Sequence, residues 1–266
     1  MTFITQLALG WFFAALVAWG AYRAGTLTRD GAWAAFVVGG LIFGFGGWPW
    51  SFLLLAFFVS SSALSRLLAQ RKRALSEKFA KGHRRDWGQV AANGALAALL
   101  ATLHAWKPES PWVWAAFAGA LAAVNADTWA TEIGVLARAA PRHILTGKPV
   151  PRGTSGGISP LGLGAALAGS GLIGAAALLG EATWHTVLAV TVGGWIGALF
   201  DSVLGATFQA MYFCPHCQKE TEHTPRHTCG TPTVYQRGLR WMNNDVVNFF
   251  ASLTGAFVAA CLVKCL

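Results

Sequence analysis

Two carboxylates in one apolar stretch are the first residues that indicate chemistry. The segment "LAAVNADTWATEIGVLA", residues 121–137, is dominated by small and apolar side chains, yet it carries Asn125, Asp127 and Glu132. A second apolar stretch, "GGWIGALFDSVLGATFQ", carries Asp201. Charged side chains are costly inside a membrane and mark ion or substrate sites there. Because Mg²⁺ prefers hard oxygen donors, Asp127 and Asp201 are predicted to bind it. Further candidates for the catalytic set are Asn125 and Glu132.

Helical geometry divides these side chains between two faces. At about 100° per residue, Asn125, Thr128 and Glu132 share one face of a regular helix, and Asp127 and Thr131 share another. Asp127 and Glu132 therefore cannot both bind one ion from an unbroken helix. Either the helix breaks here or the two carboxylates have different tasks. The alternative explanation for all these groups is that they join helices by polar contacts.

A glycine-rich stretch with basic neighbours, "GKPVPRGTSGGISPLG", follows the first acidic segment. Backbone N–H groups, a following helix N-terminus and two cationic side chains are the elements of a phosphate site. The predicted nucleotide- or phosphate-binding residues are Lys148, Arg152, Gly153, Thr154, Ser155, Gly156 and Gly157. The alternative is an ordinary loop before a helix, with Ser155 or Ser159 as the helix cap.

Amide side chains begin two other apolar segments, "DWGQVAANG" and "WMNNDVVNFF". Carboxamides can orient a substrate or a metal-bound water, and they can also join helices by hydrogen bonds. The predicted substrate-orienting residues are Asn93, Asn244, Asp245 and Asn248. For Asn93 and Asn248 both explanations stay open.

A cysteine-rich stretch, "CPHCQKETEHTPRHTCGTPT", has the spacing of a metal site. Cys214-x-x-Cys217 followed by Cys229 resembles half of a zinc ribbon that a histidine completes. The predicted ligands of a structural Zn²⁺ are Cys214, Cys217, Cys229 and His227, with His223 as the other candidate for the fourth position. Free thiols or a redox pair are the alternatives, although a reducing compartment favours metal ligands.

The composition predicts that membrane-spanning helices position all these groups. The 266 residues are 55% hydrophobic and only 12% charged, whereas soluble domains are about 25% charged. A span needs about 20 apolar residues. We therefore predict an all-α fold, a polytopic transmembrane helical bundle with about eight spans, as a single integral-membrane domain over residues 1–266. The predicted helices cover 3–22, 31–47, 48–69, 87–105, 111–137, 158–180, 183–212 and 241–264.

Basic residues predict the orientation of this bundle. Of 20 Lys and Arg residues, all except Lys107 and Lys264 fall in the loops on one side if the N-terminus faces outward. Positive charge marks the cytoplasmic side, so both termini are predicted to face outward. The charge excess is attributed to this bias and not to nucleic-acid binding. It also favours anionic lipids and phosphates at the cytoplasmic face.

Two cytoplasmic segments are predicted to accompany the bundle. Residues 213–240 are a predicted zinc-ribbon-like insertion between helices seven and eight. Residues 66–87, "RLLAQRKRALSEKFAKGHRRDW", are basic and amphipathic, and they predict a helix at the membrane surface. Some of its arginines can reach a phosphate; the alternative is that the segment only anchors the cytoplasmic side by its positive charge. The polar residues of helices four, five, seven and eight all fall toward this face, so they are expected to form one site.

Four stretches resemble the motifs of a known integral-membrane family and occur in the family's order. They are "NADTWATEIG", "PRGTSGGIS", "DSVLGATFQ" and "NNDVVNFFASLTGA". The family contains human transmembrane protein 19 and the plant phytyl-phosphate kinase, and it is distantly similar to dolichol kinase and CTP-dependent cytidylyltransferases. The resemblance covers nearly the whole chain. It implies a kinase that uses CTP and Mg²⁺ to convert an isoprenyl monophosphate, such as phytyl or geranylgeranyl phosphate, to the diphosphate.

The residues favour a phosphate acceptor, because no histidine lies in the predicted polar layer to act as base toward an alcohol. The prenyl tail is expected to stay in the lipid, with its headgroup at the cytoplasmic side of a bacterial-type inner membrane. One alternative is a lipid-phosphate or ion transporter, which would have its site near the membrane midplane. The other is a CTP-dependent cytidylyltransferase, which would release pyrophosphate. The nucleotide, the prenyl length and a homo-oligomeric assembly stay open.

Overall fold

The computed structural model describes residues 2–68, 84–108, 110–180 and 182–265. This part of the chain is mostly helical. Its long helices are α1 (Phe3–Arg23), α2 (Arg29–Leu41), α3 (Gly47–Leu67), α4 (Trp87–Trp106), α5 (Pro111–Gly134), α6 (Pro160–Ala176), α7 (Trp184–Thr207) and α8 (Asn244–Cys265). Most of residues 66–87, the predicted surface helix, lie outside the described part.

Helix starts follow local capping signals. Thr2, Thr28 and Thr183 each accept a hydrogen bond from the backbone N–H three residues further on, before α1, α2 and α7. Asp86 and Gln89 form a reciprocal capping box at the start of α4. Proline occupies the first turn of α5 and of α6. These signals explain why the helices begin within a few residues of the predicted positions.

Within the described residues, five helical stretches are long and apolar enough to cross a membrane. They are α1, the run Arg29–Leu67, the run Pro160–Leu179, α7 and α8. The run Arg29–Leu67 has 39 residues and joins α2 to α3 through a π-helical turn, Ile42–Gly46. Helices α4 and α5 are rich in alanine, carry polar side chains and fall outside this set. The count of eight spans and the outward orientation of both termini remain predictions.

Helix α5 forms the centre of the bundle. Its residues from Ala115 to Ala126 are buried without interruption. A Cβ at Gly119 of α5 would lie 2.5 Å from the carbonyl oxygen of Gly255 in α8, so only glycine permits this approach. Small residues of this kind are typical of helix packing in membranes. They hold α5 and α8 at a short and fixed spacing.

Helices α1 to α3 pack with larger side chains. The ring centroids of Phe43 and Trp48 are 4.6 Å apart, and Phe13 lies 5.5 Å from Trp48. A backbone bridge between Leu27 and Arg85 ties the loop after α1 to the start of α4. This bridge gives Arg85 a fixed position at one end of the bundle.

Two small sheets modify the all-α prediction. Strand β1 (Arg142–His143) pairs antiparallel with β2 (Gly157–Ile158), and β3 (Met211–Cys214) lies between β4 (Lys219–Thr221) and β5 (Val234–Arg237). The helices predicted over 158–180 and 183–212 are correspondingly shorter, since β2 precedes α6 and β3 follows α7. Strands of two to four residues are too short to show the alternation that identifies strands in a sequence.

Candidate active site

A polar cavity of about 890 Å³ opens between α4, α5, α7, α8, the glycine-rich loop and the cysteine-rich insertion. It brings together residues from all four family-like motifs. Of the predicted site residues, those that line it are Asn93, Asp127, Glu132, Arg152, Gly153, Thr154, Ser155, Gly156, Gly157, Asp201, Asn244, Asp245 and Asn248. Residues far apart in the sequence therefore meet at one end of the bundle.

Carboxylates face this polar cavity from α5, α7 and the insertion. Asp127, Asp201 and Glu222 line it, and the charges of Asp127 and Glu222 act on Asp201. The Oδ2 atom of Asp201 is buried and has no hydrogen-bond partner among the described residues. A buried carboxylate oxygen is costly unless a donor or a cation satisfies it. The donor set fits a divalent cation that takes its remaining ligands from substrate phosphates and water.

Helix α5 is regular through the acidic region, so its two carboxylates have different neighbours. Asp127 acts on Asp201, whereas Glu132 accepts a hydrogen bond from Ser65 Oγ at 2.8 Å. Glu132 is buried, and its charge attracts that of Arg85. The sequence allows either a break in the helix or different tasks for the two carboxylates. The geometry supports different tasks.

Arg85 brings a positive charge to the cavity wall. Its carbonyl oxygen accepts a hydrogen bond from the Thr28 N–H at 3.0 Å, and its guanidinium donates to Ser61 Oγ at 2.8 Å. Burial lowers the pKa of Arg85 to about 10, an effect that Glu132 opposes, so the side chain is charged at neutral pH. Gly31 makes room for this arrangement, because a Cβ there would lie 2.2 Å from the Arg85 carbonyl oxygen.

Two predicted residues, Asn125 and Lys148, do not line the cavity. Asn125 is buried in α5, where it accepts a hydrogen bond from Ser60 Oγ at 3.0 Å and donates to the Gly169 carbonyl at 2.8 Å. These bonds join α5 to α3 and α6, which is the alternative that the sequence leaves open for polar groups within helices. Lys148 is exposed between β1 and β2.

The glycine-rich loop presents its backbone to the cavity. Gly153 and Gly156 have φ angles of 75° and 80°, which favour glycine. Gly156 also packs against α7, since a Cβ there would lie 2.4 Å from the Cβ of Ala206. The loop ends at Ser159, whose hydroxyl accepts a hydrogen bond from the Gly162 N–H and caps α6. The two alternatives for this loop therefore do not exclude each other: Ser159 caps α6, and the loop before it lines the cavity.

Hydrogen bonds join the loop to its neighbours. The Arg152 guanidinium donates to the carbonyl oxygen of Ala137, just after α5, at 2.6 Å. Ser155 Oγ donates to Gln209 Oε1 at 2.5 Å, and Gln209 Nε2 donates to Glu222 Oε1 at 2.8 Å. The chain Ser155–Gln209–Glu222 connects the glycine-rich loop with the insertion.

The insertion forms one wall of the cavity through Glu222 and His223. A histidine therefore lies at the cavity, contrary to the expectation, because the insertion and not a membrane helix supplies it. Strand β5 fastens the insertion to the bundle, because the Arg237 guanidinium donates to two carbonyl oxygens in the last turn of α7 at 3.1 and 3.2 Å. Arg237 also pairs with Glu220 at 3.1 Å. A cation at a helix C-terminus satisfies carbonyls that have no partner within the helix.

Several polar cavity residues are absent from the predicted set, among them Ser65, Arg85, Gln209 and Glu222. For Arg85 the sequence supports only the general expectation that arginines of segment 66–87 reach a phosphate. The capping box of Asp86 with Gln89 is a further signal, since it marks the start of α4 beside Arg85. Gln209 and Glu222 have no local signal, because the packing of the insertion against α7 brings them together.

The predicted zinc ligands lie together in the insertion. The ligand atoms of Cys214, Cys217, His227 and Cys229 all lie within 4.8 Å of one another. The sulfurs of Cys214 and Cys229 are 3.6 Å apart, and two thiolates on one tetrahedral Zn²⁺ would be about 3.8 Å apart. Hydrogen bonds from Thr231 and His227 lower the pKa of the Cys229 thiol to about 5, which favours the thiolate. This cluster can hold a metal ion.

Comparisons with known proteins agree with this architecture. The family described as "Integral membrane protein DUF92" matches residues 12–256. Protein PGR of Arabidopsis thaliana is 32% identical over 96% of this chain and 95% of its own length. An uncharacterized membrane protein of Methanocaldococcus jannaschii is 28% identical over 90% of this chain and 86% of its own length. Protein VTE6, chloroplastic, of Arabidopsis thaliana is 27% identical over 88% of this chain and 64% of its own length. No solved structure matches this chain.

Proposed function

Because the chain belongs to the DUF92 family of integral membrane proteins, we propose that it is a membrane-embedded kinase that converts an isoprenyl monophosphate to the diphosphate. The proposed phosphoryl donor is CTP, and the proposed acceptors are phytyl, geranylgeranyl or similar monophosphates. The acceptor derives from the motif resemblance to the family of the plant phytyl-phosphate kinase. CTP derives from the distant similarity of that family to dolichol kinase and CTP-dependent cytidylyltransferases. The proposed location of the site is the cytoplasmic side of a bacterial-type inner membrane.

The observation that carries this proposal is one cavity in which carboxylates, a glycine-rich loop and a fixed arginine meet. Phosphoryl transfer depends on positioned cations and donors around the phosphates more than on covalent help from the protein. Within the glycine-rich loop, the N–H groups of Thr154 and Gly157 donate to carbonyl oxygens of the loop itself. Asp201 supplies an acidic ligand, the loop supplies the backbone N–H groups of Gly153, Ser155 and Gly156, and Arg85 supplies a charge. These are the parts that a phosphoryl-transfer site needs.

The donor triphosphate is proposed to bind between the loop and the acidic residues. Asp127 and Asp201 would hold Mg²⁺, with Glu222 as a third candidate. When bound, Mg²⁺ neutralises the negative charge of the phosphate oxygens. The buried Oδ2 of Asp201, which has no hydrogen-bond partner within the described ranges, fits this assignment. The N–H groups that the loop supplies and the side chain of Arg152 would bind the phosphates themselves.

The acceptor phosphate is proposed to lie between Arg85 and the amides of Asn93, Asn244 and Asn248. These amides line the cavity and can donate to phosphate oxygens. An oxygen of the acceptor attacks the terminal phosphorus of the nucleotide, the bond to the bridging oxygen breaks, and a nucleoside diphosphate leaves. The acceptor oxygen is already anionic, so the step needs no strong general base.

The position of the cavity supports a kinase over a transporter. The polar cavity includes the glycine-rich loop and the insertion, so it lies toward one end of the bundle, whereas transporter sites lie near the membrane midplane. A structural Zn²⁺ in the Cys–His cluster would stabilise the insertion that supplies Glu222. A cytidylyltransferase would use similar phosphate contacts but form different products.

The test of this proposal is a product analysis. Purified protein in nanodiscs would be incubated with Mg²⁺, CTP and geranylgeranyl monophosphate, and the products would be identified by mass spectrometry. We expect the prenyl diphosphate and CDP, and we expect Asp201→Asn to lower kcat by about 10³-fold or more, the scale for losing a group that organises transition-state charge. The control His185→Asn, at an exposed side chain in the first turn of α7 that does not line the cavity, should stay within about twofold.

Other outcomes would contradict the proposal in different ways. Pyrophosphate and a CDP-lipid would identify a cytidylyltransferase. Folded protein without turnover of any nucleotide or prenyl phosphate would contradict the kinase. Full activity in Asp201→Asn would remove Asp201 from the site while leaving the reaction in place.

A further inference from the structure

A second cavity, which we name the apolar groove, lies between α1, α2, α3 and α4. Its volume is about 170 Å³, and its lining is almost entirely apolar. Helices α1 and α2 contribute mostly small residues to the lining, and α3 contributes mostly larger ones; among them are Ala14, Ala18, Ala21, Val38, Leu54 and Phe58. The groove therefore fits a hydrocarbon and not a polar ligand.

The apolar groove meets the polar cavity at three shared residues. Arg85, Gln89 and Asn93 line both. The guanidinium of Arg85 lies 5.3 Å from the ring centroid of Phe57 while it donates a hydrogen bond to Ser61. The wall thus changes from apolar to polar at Arg85, where a positive charge stands at the boundary.

Aromatic rings line the other end of the groove. Phe13, Phe43 and Trp48 line it there and contact one another. From Phe58 to Trp48 the groove follows α3 over ten residues, which corresponds to about 15 Å at the helical rise. We name Phe13, Phe43 and Trp48 the aromatic end wall.

The apolar groove also reaches the outer surface of the bundle. Val17 and Trp48 line it and are 42% and 44% exposed. In an integral membrane protein this surface faces lipid, so a hydrocarbon chain can enter sideways without crossing water. A ligand in both cavities would have an anionic head at Arg85 and an apolar tail between the helices.

We propose that the apolar groove binds the hydrocarbon tail of the lipid monophosphate acceptor and that the aromatic end wall selects its length. The identity of the headgroup rests on the proposed function. The tail then lies within the protein, in contrast to the expectation that it stays in the surrounding lipid. Binding energy from the tail positions the phosphate at Arg85, so the groove acts on the affinity for the acceptor.

The test begins with a matched pair of substitutions on α1. Ala18→Leu adds three carbons to a buried side chain that lines the groove, whereas Ala15→Leu makes the same change at an exposed position outside it. We expect Ala18→Leu to raise the KM for geranylgeranyl monophosphate about tenfold with kcat nearly unchanged, because the tail and the added carbons compete for the same volume. Geranyl monophosphate, with its shorter tail, should be less affected, and Ala15→Leu should have no effect beyond about twofold.

A second measurement needs no nucleotide. Geranylgeranyl monophosphate with a photoreactive group at the end of its tail would be cross-linked to the wild-type protein in nanodiscs, and the labelled residues would be mapped by mass spectrometry. Labelling of the aromatic end wall, weakened by Ala18→Leu but not by Ala15→Leu, supports the groove even if the protein turns over no nucleotide. Labelling confined to other surfaces overturns the groove even if the protein is an active kinase. Equal KM values for the two variants also overturn it.

Discussion

Two regions of the bundle are packed in opposite ways. Around α5, glycine and alanine bring α7 and α8 close, so that a Cβ at Gly197 would lie 2.8 Å from the Ala251 carbonyl oxygen. Around α1 to α3, aromatic and branched side chains meet and leave a cavity of about 170 Å³. The first region carries Asp127 and Asp201, and the second carries the apolar groove.

This difference in packing indicates which parts of the protein must hold their atoms at fixed positions. Backbones in direct contact have few ways to rearrange, whereas long side chains can change rotamer and leave room. Phosphates and metal ligands tolerate position errors of only a fraction of an ångström, and a hydrocarbon tail needs mainly volume. Small residues therefore surround the acidic helices, whereas the groove combines small residues on α1 and α2 with larger ones on α3.

The largest effect is expected where the close packing is broken. Gly197→Val would force side-chain atoms into a space where a Cβ already lies 2.6 Å from Ala123, so we expect destabilisation of about 3 kcal/mol or more and loss of folded protein. Gly20→Val is the control in α1, since a Cβ at Gly20 meets nothing within 4 Å. Thermal unfolding in detergent would compare the two. Equal stability would show that the two regions do not differ in tolerance.

A smaller effect is expected at the metal cluster. It would show that the insertion, like the closely packed helices around α5, must be held rigidly for activity. Cys217→Ser removes one of four ligands, so we expect loss of bound zinc and a fall in activity of about 10- to 100-fold. The control is Cys261→Ser, at an exposed cysteine far from the cluster. Metal content by mass spectrometry and turnover would be measured together. Full activity without zinc would mean that the insertion holds its wall of the cavity unaided.

The smallest effect is expected at Lys148, which belongs to neither region. Its side chain is exposed and does not line the polar cavity. Lys148→Ala should change the KM for the nucleotide by less than about twofold at physiological salt, because an exposed charge is screened. A tenfold rise in this KM would support the sequence-based prediction that Lys148 binds the phosphates.

Local signals account for what the sequence predicts well. Capping residues and apolar runs determine where the helices begin. Asp127 and Asp201 are expected to lie at similar depths in helices of equal direction, and both line one cavity. The family was recognised from four motifs, and the match over residues 12–256 confirms it. The metal ligands follow a spacing that a turn alone enforces, so Cys214 and Cys217 could be identified without knowledge of the fold.

Contacts between distant segments explain what the sequence does not predict. Ser155, Gln209 and Glu222 form one hydrogen-bonded chain, but they belong to a loop, a helix end and an insertion that only tertiary packing unites. Asn125 illustrates the converse, since it lies two residues from Asp127 and yet faces Ser60 and Gly169 within the bundle. The helices that pack against α5 determine which of its faces borders the cavity. The sequence of α5 alone therefore does not predict that face.

Position 31 requires glycine for a steric reason, and its residue takes no part in the proposed reaction. A Cβ there would lie 2.2 Å from the Arg85 carbonyl oxygen, so any larger residue would displace the cation at the boundary of the two cavities. Natural selection would then keep glycine at this position as strictly as it keeps a reacting group. A mutational survey that ranks positions by intolerance would place Gly31 beside Asp201, although Asp201 is proposed to hold a metal ion and Gly31 only leaves space.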